Sequence, residues 1–259
     1  MYENLKIWMY WENKPGFETP FYIEFGQQLI KKFNPERNII ILDEKIVLDY
    51  IQIPDIIQAQ EHIAHKADYI RVAILEKYGG IWIDSDVICL NSFEKHFELL
   101  EEYDIIAYEY TRLKRMSYSP SNWFLAVKPN NILFKTWRLK ILEKIRHTSF
   151  IEVKNNAKKH WHFIGRQLLV PILRKLRRKK MIKYFGINCM ATVNPIGWNN
   201  SDKWFNENDI STVLKPDVYQ PFIILFNSET PRLKEITKED LVNKQNLLII
   251  KLMNYALSL

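Results

Sequence analysis

The stretch of residues 67–90 constrains the fold more than any other part of the chain. Residues 68–78 contain neither proline nor glycine and repeat apolar residues at four-residue spacing, which predicts a helix with one apolar face. Gly79 and Gly80 stand where the end of a helix favours a residue at positive φ. The next residues, 81–83, form a short and wholly apolar run, so they predict an interior strand.

Two aspartates, Asp84 and Asp86, follow this predicted strand. Because side chains alternate along an extended chain, both carboxylates are expected on the same side, with Cα atoms roughly 6.5 to 7 Å apart. In open α/β sheets, ligands bind beyond the carboxyl ends of the strands. Carboxylate oxygens at that edge suit Mg²⁺ or Mn²⁺, with phosphate completing the coordination. The sequence therefore predicts a divalent-metal site at these two aspartates.

Apolar, β-branched runs alternate with helix-like stretches along the rest of the chain. Strands are predicted at 5–11, 38–42, 81–83, 104–110 and 123–127, and helices at 21–33, 43–52, 68–78, 93–100, 132–146 and 160–178. The initial order of strand, helix, strand, helix, helix and strand favours an α/β fold with a largely parallel sheet. Because no linker-like stretch interrupts this order, residues 1–259 are predicted to form a single domain with a helical excursion at about 130–185.

Composition places limits on location. The 259 residues are 47% hydrophobic, enough for a sizeable core, but the longest apolar runs, such as 222–226, have about five residues against the roughly 20 of a membrane span. No basic segment precedes a long apolar stretch at the start, so no secretory signal is expected. Cys89 and Cys189 are too few for a disulfide framework and are expected to be reduced. The expected location is cytoplasmic.

The positive charge is concentrated in one segment. Residues 174–183 hold seven basic residues and no acid, which equals the whole formal net charge of +7. The surrounding segment 168–185 is partly amphipathic, which favours docking on anionic lipid at the inner face of the cytoplasmic membrane, although a solvated helix face is the simpler alternative. Nucleic-acid binding is not expected, because the patch is short and lacks interleaved aromatic residues.

The central block resembles the D-x-x-R-x-x-x-L-x-x-x-G-G-x-[WY]-x-D-x-D pattern of the DXD-containing sugar transferases. The residues that match are Asp68, Arg71, Leu75, Gly79, Gly80, Trp82, Asp84 and Asp86. This group includes yeast-type α-mannosyltransferases, glucosylating clostridial toxins and bacterial capsular polysaccharide synthesis enzymes. Residues 7–12 and 121–126 also resemble the bacterial members, so the match spans most of residues 5–130.

The resemblance implies a GT-A fold, a Rossmann-like nucleotide-sugar-binding sheet flanked by helices. It also implies transfer of a sugar, with retention of anomeric configuration, from a nucleotide-diphosphate donor, with UDP the expected nucleotide. The implied acceptor is a surface polysaccharide, a lipopolysaccharide or another glycan, free or lipid-linked. The implied cofactor is Mn²⁺ or Mg²⁺.

The resemblance also implies roles for individual residues. Asp86 would bind the metal directly, and Asp84 would contact both the donor and the metal. Asp68 would bind hydroxyl groups of the donor sugar, and Arg71 would neutralise the diphosphate or orient the sugar. The simpler alternative for this last pair is an ordinary surface ion pair on a helix.

Two further residues are candidates at the substrate site. Trp8 resembles the aromatic residue on which the donor base stacks, although a place in the core is the alternative. Asn122 is a candidate for contact with the donor or the acceptor. No residue is assigned as a catalytic nucleophile.

One departure from the family pattern concerns the metal. Many GT-A enzymes add a C-terminal histidine to the metal ligands, but the last histidine here is His162. A third ligand would have to be water or one of several oxygen-bearing residues. These candidates are Asn199, Asn200, Ser201, Asn227 and Ser228.

Two other functions are compatible with a strand followed by two aspartates. Phosphatases of the haloacid-dehalogenase type carry such a motif, but usually near the N-terminus and with Thr or Val two places on, where this chain has Ile88. A non-catalytic module that binds glycan or membrane is the second alternative, and it leaves the two carboxylates at the end of a buried strand unexplained.

Overall fold

The computed structural model describes residues 4–60, 62–110, 120–147, 162–206, 209–225 and 230–259. They belong to two compact units, each assembled from three segments. The first unit comprises Met1–Glu12, Arg37–Ile83 and His96–Ile187, and the second Asn13–Glu36, Asp84–Lys95 and Asn188–Leu259. A single domain over residues 1–259 stays a prediction.

Strands and helices alternate along the described chain. In order they are β1 (Ile7–Tyr10), α1 (Phe21–Phe33), β2 (Ile39–Leu42), α2 (Asp55–Gln58), α3 (Ile63–Tyr78), β3 (Gly80–Ile83), β4 (Val87–Cys89), α4 (Glu94–Glu102), β5 (Ile105–Glu109), β6 (Pro120–Val127), α5 (Ile132–Arg146), α6 (Arg166–Arg178), β7 (Tyr184–Asn188), β8 (Phe222–Ile224), α7 (Asp240–Asn243) and α8 (Leu248–Ser258). Short 3-10 turns lie at Ile46–Asp49, Trp198–Phe205, Ile210–Thr212 and Pro231–Glu235.

Six strands form the main sheet in the order β2-β1-β3-β6-β5-β7. Strand β1 pairs in parallel with both β2 and β3, as the alternation of strands and helices predicts. Strand β6 then pairs antiparallel with β3 and with β5, so that β5 runs in the same direction as β3. The α/β fold class is confirmed.

The core of the first unit lies between this sheet and three helices. Strands β1 and β3 are buried at every position, which explains why their sequences are continuous apolar runs rather than alternating ones. Helix α5 packs against both α3 and α6, and α6 also packs on β6. The sheet and these helices share one cluster of buried apolar side chains.

Three helix predictions differ from the structure. The helix predicted at 160–178 begins only at Arg166, because the preceding Gly165 has ψ −114°, outside the helical region. The stretch 43–52 contains only the 3-10 turn Ile46–Asp49. The predicted helix 68–78 is longer than expected and begins at Ile63.

The second unit contains the strand that follows the two aspartates. Strand β4 pairs antiparallel with β8, and both α1 and α8 pack against β4. Helix α1 approaches β4 closely at Gly26, where an added Cβ would overlap the carbonyl oxygen of Val87. No helix in the described part of the chain combines the length and the apolar character needed to cross a membrane.

Candidate functional site

The double glycine ends α3 and leads directly into β3. Gly79 has φ 63° and Gly80 has φ 95°, in the region that favours glycine. A Cβ at Gly80 would also overlap the carbonyl oxygen of Lys6, next to β1, and one at Gly79 would lie 2.6 Å from the backbone nitrogen of Pro129. Both positions therefore require glycine, since the chain must turn sharply there against neighbouring backbone.

Asp68 and Arg71 form a buried ion pair on α3. They are only 5% and 4% exposed, and the Arg71 guanidinium donates to Oδ1 of Asp68. The guanidinium carbon lies 5.2 Å from the ring centroid of Trp82 in β3, a cation–π distance. Desolvation of two charges is costly unless both are paired and hydrogen-bonded. This pair is therefore not the exposed surface pair that was the simpler alternative.

Asn122 joins this pair from β6. Its Nδ2 donates a hydrogen bond of 2.7 Å to Oδ1 of Asp68, across 54 residues of sequence. Asp68 thus has two side-chain donors on one oxygen, and its carboxylate is fixed in direction. The structure brings together Asp68, Arg71 and Asn122, three of the predicted site residues.

The other oxygen of Asp68 faces the start of α6. A Cβ at Gly165 would overlap Oδ2 of Asp68 and would lie 2.8 Å from Nδ2 of Asn122. Because the first N–H groups of a helix carry partial positive charge, this end of α6 favours a nearby carboxylate. Gly165 was not predictable from the sequence, since nothing local distinguishes it from a glycine in an ordinary turn.

Two side chains of α5 hold the segment before Gly165 in place. Trp137 donates from Nε1 to the carbonyl oxygen of Ile164 at 2.7 Å, and Lys144 donates from Nζ to that of Phe163 at 2.9 Å. These bonds fix consecutive peptide groups, so the approach of Gly165 to Asp68 is held by the packing of α5.

Trp8 lies in the core, and the base-stacking role predicted for it is wrong. Its side chain is fully buried, and Nε1 donates to the carbonyl oxygen of Gly79 at 2.9 Å. The ring centroid lies 5.1 Å from that of Tyr50 and 5.4 Å from that of Tyr78. A base has no exposed face of Trp8 to stack on. Trp11, just beyond β1, is partly exposed.

Asp84 and Asp86 lie between β3 and β4, and the extended geometry expected for them is wrong. The chain bends at Ser85 and Asp86, so strict strand alternation does not apply. Burial nevertheless alternates, because Ser85 is 3% exposed while the two aspartates are only partly buried. Both aspartates are therefore more accessible than the serine between them.

The backbone of Asp86 is held by a hydrogen bond within the second unit. Its carbonyl oxygen accepts a 2.9 Å hydrogen bond from the backbone nitrogen of Leu225, just beyond β8. Burial, followed by the negative charge of Asp86, raises the pKa of the Tyr22 phenol on α1. The Asp86 carboxylate thus acts electrostatically on a buried neutral phenol.

The donor set at the aspartates fits a hard divalent cation. Oxygen ligands are those that Mg²⁺ and Mn²⁺ prefer. Within the described residues, no group of three or more His, Cys, Asp or Glu side chains could hold a metal, so protein carboxylates would supply only part of the coordination. Of the proposed third ligands, Asn227, Ser228 and the side chain of Asn199 lie outside the described part of the chain.

The remaining third-ligand candidates are Asn200 and Ser201. The Asn200 amide donates from Nδ2 to the carbonyl oxygen of Ile196 at 2.8 Å, within a local turn. Leu225 and Thr230 flank the segment that holds Asn227 and Ser228, and the Thr230 hydroxyl donates to the carbonyl oxygen of Leu225 at 3.0 Å. The third ligand stays a prediction.

Comparison with known proteins gives one family. Residues 1–152 match the family model described as "Capsular polysaccharide synthesis protein". This range includes all the predicted site residues except the candidates for the third metal ligand. No curated protein matches the chain.

Several solved structures are similar in fold, all at low identity. A galactosyltransferase, LgtC, solved with donor and acceptor sugar analogues, has a TM-score of 0.48 and 13% identity and covers 98% of this chain and 96% of its own. A glycosyltransferase involved in glycosylation of the major capsid of PBCV-1 has a TM-score of 0.48 and 10% identity, and the match covers 89% of this chain and 100% of that one. The glycosyltransferase GlyE of Streptococcus pneumoniae TIGR4 has a TM-score of 0.46 and 14% identity, and the match covers 98% of this chain and 61% of that one. Because these likenesses are weak, the family match carries the assignment.

Proposed function

Because the chain belongs to the capsular polysaccharide synthesis protein family, we propose that it is a metal-dependent retaining glycosyltransferase with a GT-A fold. The proposed donor is a nucleotide-diphosphate sugar, with UDP as the nucleotide. The proposed acceptor is a surface polysaccharide, a lipopolysaccharide or another glycan. The buried Asp68–Arg71–Asn122 constellation is the observation that carries this proposal, because Arg71 and Asn122 fix the carboxylate of Asp68 by hydrogen bonds.

Asp84 and Asp86 are proposed to hold the Mn²⁺ or Mg²⁺ ion, with Asp86 as the direct ligand. When bound, such an ion stabilises negative charge on the departing diphosphate. Asp84 would also contact the donor. The partial exposure of both side chains supports this role, because it leaves each carboxylate open to a ligand.

Asp68, Arg71 and Asn122 are proposed to bind and orient the donor. Catalysis by fixed charges requires groups that do not reorient during the reaction. The carboxylate of Asp68 meets this requirement, since Arg71 and Asn122 both donate to Oδ1 and Gly165 crowds Oδ2. Asp68 is 5% exposed, and through this exposed part it is proposed to accept from hydroxyl groups of the sugar, while the positive charge of Arg71 offsets negative charge on the diphosphate.

Trp11 replaces Trp8 as the proposed platform for the donor base. It follows the end of β1, and its backbone nitrogen donates to the carbonyl oxygen of Leu42 at the end of β2. It thus lies at the carboxyl edge of the parallel strands, where α/β sheets bind ligands. Its partial exposure leaves surface for stacking, which contributes roughly 1 to 3 kcal/mol per base.

The proposal for the acceptor rests on the positive charge of one segment. The basic segment 168–185 would bring the chain to an anionic membrane, where a lipid-linked glycan is met. The corresponding location is cytoplasmic, peripheral on the inner face of the cytoplasmic membrane. No nucleophile is proposed.

The phosphohydrolase alternative gains no support. The family match concerns polysaccharide synthesis, and the aspartate pair follows the third strand of the chain rather than the first. The buried constellation around Asp68 is likewise unexplained by a non-catalytic binding module.

A thermal-shift screen tests the proposal. The chain would be heated with UDP-, GDP- and CDP-linked sugars, each with and without Mn²⁺. A ligand present at 100 times its dissociation constant stabilises a protein by about 2.7 kcal/mol, so a bound donor gives a clear shift. We expect at least one nucleotide sugar to stabilise the chain only with Mn²⁺. No shift with any donor at millimolar concentration, with turnover of p-nitrophenyl phosphate instead, would favour the phosphohydrolase.

A further inference from the structure

The C-terminal end of α6 carries exposed cations that pair with no acid in the described part of the chain. They are Lys175, Arg178, Lys179 and Lys180. Lys183 is also exposed, and its backbone nitrogen donates at 2.8 Å to the carboxylate of Asp104, so an acidic side chain lies near this residue. Lys175, Arg178, Lys179 and Lys180 form no ion pair with a described residue, and together they are named the α6 patch.

The helix that carries the α6 patch is firmly anchored in the first unit. One face of α6 is buried in the apolar core through Leu169, Ile172, Leu173 and Leu176. Since this face is already occupied, α6 is not free to insert into a bilayer as an amphipathic helix. It can act only as a fixed support that presents its charged end.

The backbone at this end is unusual. Lys180 has φ 55°, its N–H donates to the carbonyl oxygen of Arg177 at 2.9 Å, and the N–H of Met181 donates to that of Leu176 at 3.0 Å. This is a Schellman motif, whose left-handed position is usually glycine. The other described non-glycine residue at positive φ is Asn130, a type that tolerates this conformation. Backbone stability alone would favour glycine at Lys180, which indicates a use for the charge there.

An apolar side chain lies within the patch. Met181 follows Lys180 directly and is 52% exposed. Residues 174–183 contain no aromatic residue on which a base or a sugar ring could stack. Exposed cations next to an exposed methionine fit a surface with anionic headgroups above a hydrocarbon interior better than they fit a nucleic acid.

We propose that the α6 patch, together with the adjacent Met181, docks on the surface of an anionic phospholipid bilayer. Each lysine or arginine close to such a surface strengthens binding by about fivefold. This inference deepens the proposed function, because it locates the membrane contact of segment 168–185 in these residues. Vesicle binding needs neither donor nor metal, so its failure and the failure of sugar transfer are distinguishable.

The simpler role for these cations is to stabilise the C-terminal end of a helix dipole. The two roles predict different results for Lys180→Gln, which removes the charge and keeps a side chain in the left-handed conformation. If the lysine serves the helix, the melting temperature falls. If it serves docking, the melting temperature is unchanged and vesicle binding weakens about fivefold.

Co-sedimentation with vesicles tests the proposal. We would compare phosphatidylcholine vesicles with vesicles of phosphatidylcholine and phosphatidylglycerol at 7:3, in low and in 1 M salt. We expect binding only to the anionic vesicles, and its loss in high salt. The combined variant Lys175→Gln, Lys179→Gln, Lys180→Gly should bind on the order of 100-fold more weakly.

A matched control removes the same charge elsewhere. Lys215→Gln, Lys234→Gln and Lys238→Gln change three exposed lysines of the second unit and should bind as the wild type does. Equal weakening in both triple variants, or no binding to anionic vesicles, would overturn the proposal. So would tighter binding to a single-stranded RNA oligonucleotide than to the anionic vesicles, which would identify a nucleic-acid site.

Discussion

Asn122 donates a 2.7 Å hydrogen bond from Nδ2 to Oδ1 of Asp68, the oxygen that also accepts from Arg71. One carboxylate oxygen is thus held by donors from β6 and from α3. The bond ties the central sequence block to a strand that begins more than 50 residues later. The orientation of Asp68 is therefore a property of the fold and not of the block alone.

Removal of this bond is expected to affect activity more than stability. Asn122→Ala loses a hydrogen bond to a charged group, worth about 1.5 to 3 kcal/mol, and should lower kcat/KM about 10- to 100-fold. The matched control is Ser121→Ala, the neighbouring residue of β6, which loses the 2.9 Å bond from Oγ to the carbonyl oxygen of Tyr108. Equal activity in the two variants would show that Asn122 does not orient the donor site.

Gly165→Ala is expected to disturb Asp68 from the opposite side. An added methyl group would overlap Oδ2 of Asp68, so the carboxylate must move. Sugar transfer should fall at least about 10-fold, mainly in kcat, because a fixed charge is displaced from the reacting groups.

Gly186→Ala is the control for this variant. There an added Cβ would overlap the carboxyl carbon of Glu109 and lie 2.6 Å from Oε2, so it also displaces a carboxylate, but one on a longer and partly exposed side chain that can move. Gly186→Ala should therefore lose less unfolding free energy in urea than Gly165→Ala, and only Gly165→Ala should lose activity. A parallel loss of activity in both would mean that stability, not the position of Asp68, is responsible.

Trp8→Phe is expected to lower stability and leave donor affinity unchanged. The substitution removes the bond to the carbonyl oxygen of Gly79 and leaves that buried group unsatisfied, at a cost of about 1 to 3 kcal/mol. Urea unfolding measures this loss, and calorimetry with the donor found in the thermal-shift screen measures affinity. Weaker donor binding at unchanged stability would restore the base-stacking role of Trp8.

Trp11→Ala should behave in the opposite way. The side chain is partly exposed, so its loss should change stability little, whereas loss of base stacking should weaken donor binding about 5- to 150-fold. The comparison is sharpest at constant Mn²⁺ and with UDP alone as the ligand, because UDP lacks the sugar. Unchanged affinity for UDP would remove Trp11 from the donor site.

Local signals made the centre of the fold predictable. The helix, its glycine end and β3 come from residues 68–83, where spacing, glycine and apolar runs agree, and the family resemblance that they carry is confirmed. The α/β class followed in the same way from alternation of elements. The antiparallel pairing of β6 with β3 and β5 did not follow, because register and direction depend on partners distant in sequence.

The errors at the candidate site have physical causes. Trp8 lies in a strand buried on both faces, so alternation could not tell an exposed ring from a core ring. The role of Gly165 depends on its close approach to Asp68, which lies 97 positions earlier in the chain. A contact between residues so distant in sequence leaves no local pattern from which to predict it. The chain bends at Ser85 and Asp86, and yet Asp84 and Asp86 are both partly exposed, so an extended chain is not needed for this.

Donor turnover by Asp86→Asn tests whether this carboxylate binds the metal ion that sugar transfer needs. The wild type, Asp86→Asn and the exposed-site control Asp217→Asn would be assayed for release of nucleotide diphosphate from the donor found in the thermal-shift screen, across a Mn²⁺ titration. We predict that Asp86→Asn keeps its melting temperature and loses turnover by a factor on the order of 1,000 at every Mn²⁺ concentration, while Asp217→Asn matches the wild type. Turnover in folded Asp86→Asn equal to that of the wild type would contradict the account.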